Sequence, residues 1–509
     1  MANVEGLAPA RGRRDVPWAL VTFSLATAVY LLTLSHDVGA FDVAEFQTIP
    51  HLFGVAHPTG YPLFTILGGI WSHIPFGSVA VRMNLFSAVL FGASASVACK
   101  VLTRLRVRGP IACAGTLIFA FATGTWRVAA QIDAQSLHLL LLAAVILLWI
   151  AACDDPSPRR VAFLCLALGT GLTHHGLMLL AAIPLLATLL WTHWREISRL
   201  NVLRVALPAL IVPFAVLLYL PLREATAPLL DANPERSWWA RVLGDGFRGS
   251  MGQLGSLHVW VDAIGPQLRA MSNWVGVVVL FLAVLGAGSL AGRAFRTTVG
   301  LVAVGLLASY AGATSSGATE RYLLGPVLVV ALFAAVGADT LVDAVATQVA
   351  ERAVTIVTVS GLLLFALLPL NGLRANYRAL DAHRSHRNEE NGTSLLNALP
   401  TNCVLWTYWD LRTQLFYLRY IEVVRPDVTI LDHRSTRKIG SSFAASPEGV
   451  YRAVTNDSRY TGRPVCFVPF PGQRASGEGV SAQPIAETDR PWGIGYTTRG
   501  RVYVLTARS

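Results

Sequence analysis

The chain has 509 residues, 53% of them hydrophobic and only 14% charged, with a mean hydropathy of +0.51, where a soluble protein carries about 25% charged residues. Composition therefore excludes a soluble globular enzyme, and at about 20 residues per span the length holds many transmembrane helices with a solvated part to spare. The net charge of 41 − 30 = +11 comes almost wholly from arginine, Lys100 and Lys438 being the two lysines, and it reads as membrane topology rather than as a nucleic-acid surface.

Arg11, Arg13 and Arg14 precede an apolar run from Pro17 to Ser35. The run is long for a signal-peptide core and no small-residue cleavage site follows, so it reads as an uncleaved first span with a cytoplasmic N-terminus. Hydropathy puts ten more spans near 79–99, 110–127, 136–153, 161–175, 176–192, 203–221, 272–291, 297–313, 322–344 and 354–370, eleven in all. An odd number sends the C-terminus outside. The basic residues Lys100 to Arg108, Arg159 and Arg160, Arg195 to Arg204, and Arg293 and Arg296 all fall on inner loops of that scheme, as the positive-inside rule requires. The scheme is sensitive at Thr173-His174-His175-Gly176, where one bent helix in place of two spans reverses everything downstream.

Three outer segments remain: 36–78, 222–271 and everything after 370. The last is different material, with 30 of the 71 charged residues in 139 positions, so it reads as a solvated extracytoplasmic domain. An apolar strand (Val404 to Trp409), an amphipathic helix (Leu411 to Val424), a second strand (Val428 to Leu431) and further strands near Cys466 to Pro469 and Val502 to Leu505 predict a small α/β domain. The expected fold class is mainly α: a polytopic membrane part over 1–370 and an α/β extracytoplasmic domain over 371–509. Six cysteines form no CxxC and no Cys/His cluster with zinc spacing, so neither a metal site nor a cofactor is expected. Cys403 and Cys466 are the two that fall outside, either as a disulfide or as two buried free thiols.

The first outer segment carries Asp42 and Glu45 at i and i+3, on one face of a helical turn, flanked by Phe41, Phe46, Leu52 and Phe53. A carboxylate pair held at a low-dielectric interface suits a general base facing a lipid-borne substrate; the same spacing also suits an Asp42 that caps the turn and a solvated Glu45. The block His57-Pro58-Thr59-Gly60-Tyr61-Pro62 combines two prolines that fix φ with a glycine that allows close backbone approach, and so encodes a rigid turn. His57 either holds the Asp42 turn or faces solvent. His174 and His175 either pack or touch substrate. Arg82, Arg223 and Arg321 stand at outer ends of spans, where each is a helix-end arginine or a ligand for an anionic headgroup. Trp238, Trp239 and Trp260 mark segment 222–271 as an interfacial anchor or a lid.

Asp42, the His57-to-Leu63 block, Arg82-Met83-Asn84-Leu85-Phe86-Ser87-Ala88, Ser136-Leu137-His138, Gly171-Leu172-Thr173-His174-His175 and Tyr219-Leu220-Pro221-Leu222-Arg223 occur in the order of a membrane family that includes the animal transmembrane protein O-mannosyltransferases. The chain resembles that family, part of the GT-C glycosyltransferases, over most of its length. The resemblance implies an inverting transferase that takes a mannose or similar hexose from a polyprenyl-phosphate donor to a protein or envelope acceptor at the outer face of the cell membrane. It makes Asp42 the candidate base and Glu45 its partner, with His57, Arg82, Asp133, His174, His175, Arg223 and Arg321 as candidate substrate contacts. The sequence departs from the family at Ala44, Thr59, Asp133 and Gln135, where Gly, Pro, Glu and Tyr are usual; the last two bear on substrate choice. A secondary transporter or lipid flippase is the alternative, and neither an internal repeat nor a midplane acid supports it.

Overall fold

The computed structural model describes residues 17–226, 230, 237–243, 257–314, 319–432, 446–470, 473–488 and 500–507. Arg11, Arg13, Arg14 and much of segment 222–271 lie outside these. The membrane part opens with α1 (Trp18–Leu32), α2 (Asp42–Thr48), α3 (Pro62–Ser72), α4 (Val79–Arg104), α5 (Gly109–Phe121), α6 (Thr123–Ala129), α7 (Gln135–Asp154), α8 (Pro158–His174) and α9 (Leu177–Ile197). It continues through α10 (Leu200–Ile211), a 3-10 stretch (Val212–Leu218), α11 (Tyr219–Ala225), α12 (Trp238–Val242), α13 (Leu257–Val275), α14 (Val277–Thr314), α15 (Thr319–Tyr322), α16 (Leu324–Ala346) and α17 (Glu351–Leu380).

Among the described residues seven helices are long and apolar enough to cross a membrane, or eight if the pair α5–α6, bent by 72°, is one span. Hydropathy predicts eleven. The difference has physical causes: α1 has 15 residues and α8 has 17, and two expected spans, 272–291 and 297–313, fall mostly on the single 38-residue α14. That helix is broken at Ala294, with φ −148° and ψ 61°. Gly286 touches Phe333 and Gly337, while Gly305 touches Val329. A straight helix separates residues 286 and 305 by about 28 Å, far more than the short piece of α16 they share, so the chain reverses at Ala294 and both arms rest on α16. Glycine is required at that contact: a Cβ on Gly286 meets Phe333 O at 1.9 Å, and one on Gly337 meets Leu282 O at 2.0 Å, the close backbone approach that holds helices together in lipid.

The Thr173–Gly176 junction is a reversal as well. His175 pairs with Gln135 at the start of α7, and His193 Nε2 reaches Cys153 O at its end, so α9 runs alongside α7 in the same direction and α8 returns between them. The reversals collect the end of α1, α2, α3, the α6–α7 loop, the α8–α9 junction, α11 and α15 at one end of the bundle. The opposite end carries the ion pairs Arg104–Asp154 (2.6 Å), Arg160–Asp155 (3.2 Å) and Arg108 with Asp339 and Asp343. Leu200, Ile211, Ile356 and Leu363 are more than 60% exposed, and such a broad apolar outer face identifies a multi-pass membrane protein.

Beyond α17, which runs unbroken across residue 371, come α18 (Arg387–Ala398), β1 (Val404–Trp406), α19 (Trp409–Tyr420), β2 (Thr429–Leu431), α20 (Pro447–Thr455), β3 (Val465–Phe467), β4 (Val480–Thr488) and β5 (Gly500–Ala507). The strands form one sheet in the order β2-β1-β3-β5-β4. β1 lies parallel to β2 and β3, with Leu405 opposite Ile430 and Cys466, and β5 is antiparallel to β3 and β4. Cys403 and Cys466 are free, fully buried thiols that hydrogen-bond to each other, and this neighbour together with burial pushes the Cys466 thiol up.

This region is seated on the segment that carries α2. The Asp37 carboxylate accepts the backbone N–H of Asn388 (2.8 Å) and Glu389 (3.0 Å), satisfying the free donors at the start of α18 as a capping carboxylate does. The Tyr417 hydroxyl accepts Ala80 N–H at 3.0 Å. Phe46, Phe64 and Leu137 then share one hydrophobic cluster with Leu395, Leu415, Ile430 and Cys466, so α19 lies directly against α2.

Candidate active site

The site begins at α2. Phe41 just before it has φ +55°, and Phe53, Tyr61 and Gly60 in the following turn have φ of +46°, +45° and +87°. Left-handed non-glycine residues cost on the order of 1–3 kcal/mol each and persist only where the surroundings hold them. The holding groups are visible. Glu45, 3% exposed, accepts His57 N–H at 2.7 Å and, through its second oxygen, His57 Nδ1–H at 2.9 Å. The His57 ring is packed by Phe46, Tyr61 and Trp409. A Cβ on Gly60 meets Leu220 at 2.9 Å, so glycine serves there both for its φ and for its lack of bulk.

Asp42 opens the helix one turn before Glu45, and its Oδ2 accepts Arg321 of α15, 279 positions on in the chain, at 2.6 Å. The same guanidinium approaches Asp133 Oδ2 with its Nε at 3.2 Å. Asp133 is 5% exposed, and its other oxygen accepts Gln135 N–H at 2.9 Å, capping α7. Burial pushes the Asp133 carboxyl up, against the opposing pull of Arg321. One arginine thus joins a half-exposed carboxylate to a buried one. Asn84, fully buried, ties the elements together: its Nδ2 donates to Ser35 O (2.7 Å), and its Oδ1 accepts Ile132 N–H (2.9 Å) and the Gln47 side chain (3.2 Å).

Around this pair stand the histidines. His174 Nε2–H donates to Ala134 O at 2.9 Å, and His175 Nε2 faces the Gln135 amide at 3.2 Å. Both rings pack against Tyr61, and the His138 ring meets His175 at a tilt of 40° with centroids 5.0 Å apart. Asp42, Glu45, His57, Asp133, His174, His175 and Arg321 are therefore brought together. Arg82 and Arg223 are not. Arg82 donates to Phe76 O and Gly77 O in the α3–α4 turn. Arg223 donates to Phe53 O at 2.6 Å and to Thr226, which fastens α11 to the loop after α2. Trp238 and Trp239 are exposed, and Trp260 donates to Ser309 on α14.

Sequence reasoning missed Asn84, His138 and Tyr322 as site residues, and marked Gln135 only as a departure that bears on substrate choice. Asn84 and His138 lay inside motifs already recognised, but nothing in the motif distinguishes a residue that faces the site from one that faces a neighbour. The expectation of no metal site also meets a cluster: Asp42, Glu45 and His57 offer ligand atoms within 4.8 Å of one another. Arg321 and the His57 Nδ1–H already answer those charges, and a guanidinium on Asp42 opposes a dication there.

The fold has a counterpart among solved structures. The structure of ArnT from Cupriavidus metallidurans bound to undecaprenyl phosphate superposes with a TM-score of 0.54 at 13% identity, covering 96% of this chain and 98% of that one; the apo form gives 0.50 at 12%, covering 96% and 97%. Residues 42–201 match the family model of the protein O-mannosyl-transferase TMEM260 N-terminal domain. The chain is 26% identical over 465 residues to protein O-mannosyl-transferase TMEM260 of Mus musculus, covering 84% of this chain, and 23% identical over 464 residues to the Dictyostelium discoideum protein of that name, covering 81%. It spans 65% and 56% of the lengths of those two relatives. The resemblance drawn from the motifs is borne out.

Proposed function

We propose that this protein is an inverting glycosyltransferase that moves mannose or a similar hexose from a polyprenyl-phosphate donor to a hydroxyl of a protein or envelope acceptor. The observation that carries the reading is the contact of Asp42 with Arg321, backed by Asp133: a base and a cation for an anionic leaving group at one spot, on a rigid turn at the end of a membrane bundle. The names of the TMEM260 relatives and of the lipid-bound ArnT structure support it.

In this reading the Asp42 carboxylate takes the proton of the acceptor hydroxyl as its oxygen bonds to the anomeric carbon. The bond from that carbon to the phosphate oxygen breaks on the opposite face, so the anomeric configuration inverts. Polyprenyl phosphate leaves with the electron pair, and Arg321 neutralises it, while Asp133 keeps the guanidinium in position as its hold on Asp42 is shared with phosphate. Glu45 and His57 act as positioning residues that hold α2 at its angle.

The chain crosses the membrane eleven times, with α1, α8 and each arm of α14 as spans, the N-terminus cytoplasmic and residues 371–509 forming an outer domain in the cell membrane. The arginine-rich loops at the end away from Asp42 support this orientation.

The test is transfer of labelled sugar from polyprenyl-phosphate-mannose and polyprenyl-phosphate-glucose by wild type and Asp42→Asn. The expected result is transfer by the wild type and a loss of at least about 10² in turnover in the variant. Near-normal turnover in Asp42→Asn removes the base assignment.

A further inference from the structure

The exposed side of α17 carries one continuous stripe. Ile356, Leu363, Leu367 and Leu370 are all exposed and follow one another at helical spacing, so they lie on one face and meet lipid. Arginine closes the stripe at both ends, with Arg352 one turn before Ile356 and Arg374 one turn after Leu370. At about 1.5 Å per residue these two arginines stand about 33 Å apart, against about 30 Å of hydrocarbon in a bilayer, so Arg374 marks the headgroup boundary. Arg378 continues the same face one turn further out, about 6 Å beyond. The residue between them fixes the level: Asn376 donates to Phe121 O at 2.9 Å and accepts Thr123 at 2.9 Å, at the bend of α5 into α6, and Ala382 N–H reaches Thr33 O at 3.3 Å soon after. This is the end of the bundle that holds Asp42.

Pairing sets these two arginines apart. At the opposite end Arg104, Arg108 and Arg160 each meet an aspartate. Arg374 and Arg378 are exposed and, among the described residues, have neither a carboxylate nor a carbonyl partner. Asp381, the nearest acid along the chain, is engaged by His383. A single arginine at a span end is answered by water. Two on one face, one turn apart, present two planar forks that can close on one phosphate, whose oxygens match them.

We propose that Arg374 and Arg378 bind the phosphate of an anionic phospholipid, one with a phosphatidylglycerol-like headgroup, in the leaflet at the Asp42 end. Charge selects this class. A zwitterionic headgroup brings the same phosphate with an ammonium attached, which two guanidinium groups repel, whereas an anionic headgroup brings the phosphate without a cation. The acyl chains of the same molecule lie along Leu370, Leu367 and Leu363, so one lipid meets both the apolar and the basic part of the stripe.

The test uses the full chain, with native mass spectrometry counting the lipids it keeps when phosphatidylglycerol and phosphatidylcholine are supplied in equal amounts. Wild type is expected to retain phosphatidylglycerol in preference, and Arg374→Gln combined with Arg378→Gln to lower that preference about ten-fold. Replacing both by lysine keeps the charge and removes the forks, and an intermediate preference is expected. Arg452→Gln combined with Arg474→Gln removes the same charge from exposed positions away from α17 and is expected to change nothing. An unchanged preference in the Arg374 and Arg378 glutamine variant overturns the proposal. An equal loss in the Arg452 and Arg474 variant does so too, because it assigns the effect to net charge. If the double glutamine variant fails to fold, Arg378→Gln alone is read by the same ratio. Polyprenyl phosphate is supplied as a third lipid, and if it displaces phosphatidylglycerol more effectively than phosphatidylglycerol displaces itself, the pair belongs to that carrier and the phospholipid assignment falls.

Discussion

At the scale of single residues the site is an arrangement of charges that answer one another. Arg321 serves two carboxylates, so Arg321→Gln leaves Asp42 and Asp133 without their shared cation and, in the proposed reaction, removes the counter-charge for the leaving group. Turnover is expected to fall by about 10² to 10³ with weaker donor binding, measured as kcat and KM for the labelled donor; wild-type values would return Arg321 to a structural role. The same arginine argues against a dication among Asp42, Glu45 and His57, so transfer is expected to survive EDTA, and a loss that Mn²⁺ or Zn²⁺ restores would reverse this. The acid pair was legible in the sequence because i,i+3 spacing and flanking aromatics are local signals. Its partner was not: Arg321 and Asp42 stand 279 positions apart, and the end-of-span position of Arg321 is shared by Arg82 and Arg223, which spend their donors on backbone carbonyls.

At the scale of elements, glycine decides where helices meet. Gly337→Val puts side-chain atoms into the Leu282 carbonyl, and since overpacking costs typically 1–3 kcal/mol the purified protein is expected to unfold several degrees lower in a thermal scan. Unchanged unfolding would mean that α14 and α16 do not approach as described. The break at Ala294 falls between the two runs, 272–291 and 297–313, into which hydropathy divides the segment. β4, by contrast, was missed. It is an edge strand with Pro484 at a bulge, and edge strands carry polar residues and proline that weaken the strand pattern. β1, β2, β3 and β5 all fall on apolar runs that the pattern had marked.

At the scale of the whole molecule, the region from α18 onward is built onto the site. Arg412 and Asp432, 4% and 0% exposed, pair at 3.1 Å behind α2, and the Arg412 guanidinium also lies 4.4 Å from the Phe416 ring centroid. Removing one member of a buried pair strands the other at a cost of roughly 3–5 kcal/mol, so Asp432→Asn is expected to lower both the unfolding temperature and turnover, since α19 supports α2. Lowered stability with full turnover at low temperature would show that this region does not position Asp42.

Composition and hydropathy by themselves determined that this is a polytopic membrane protein, and spacing and resemblance singled out Asp42 with its rigid His57-to-Tyr61 turn as the candidate chemistry, because burial in lipid and turn geometry act on neighbours in the chain. Only the tertiary structure decided which cation meets Asp42, that Asn84 ties three segments together, and that the region from α18 onward shares a core with α2. Those are contacts between residues far apart in sequence, and their partners are chosen by how the helices reverse and pack, a property no local pattern carries.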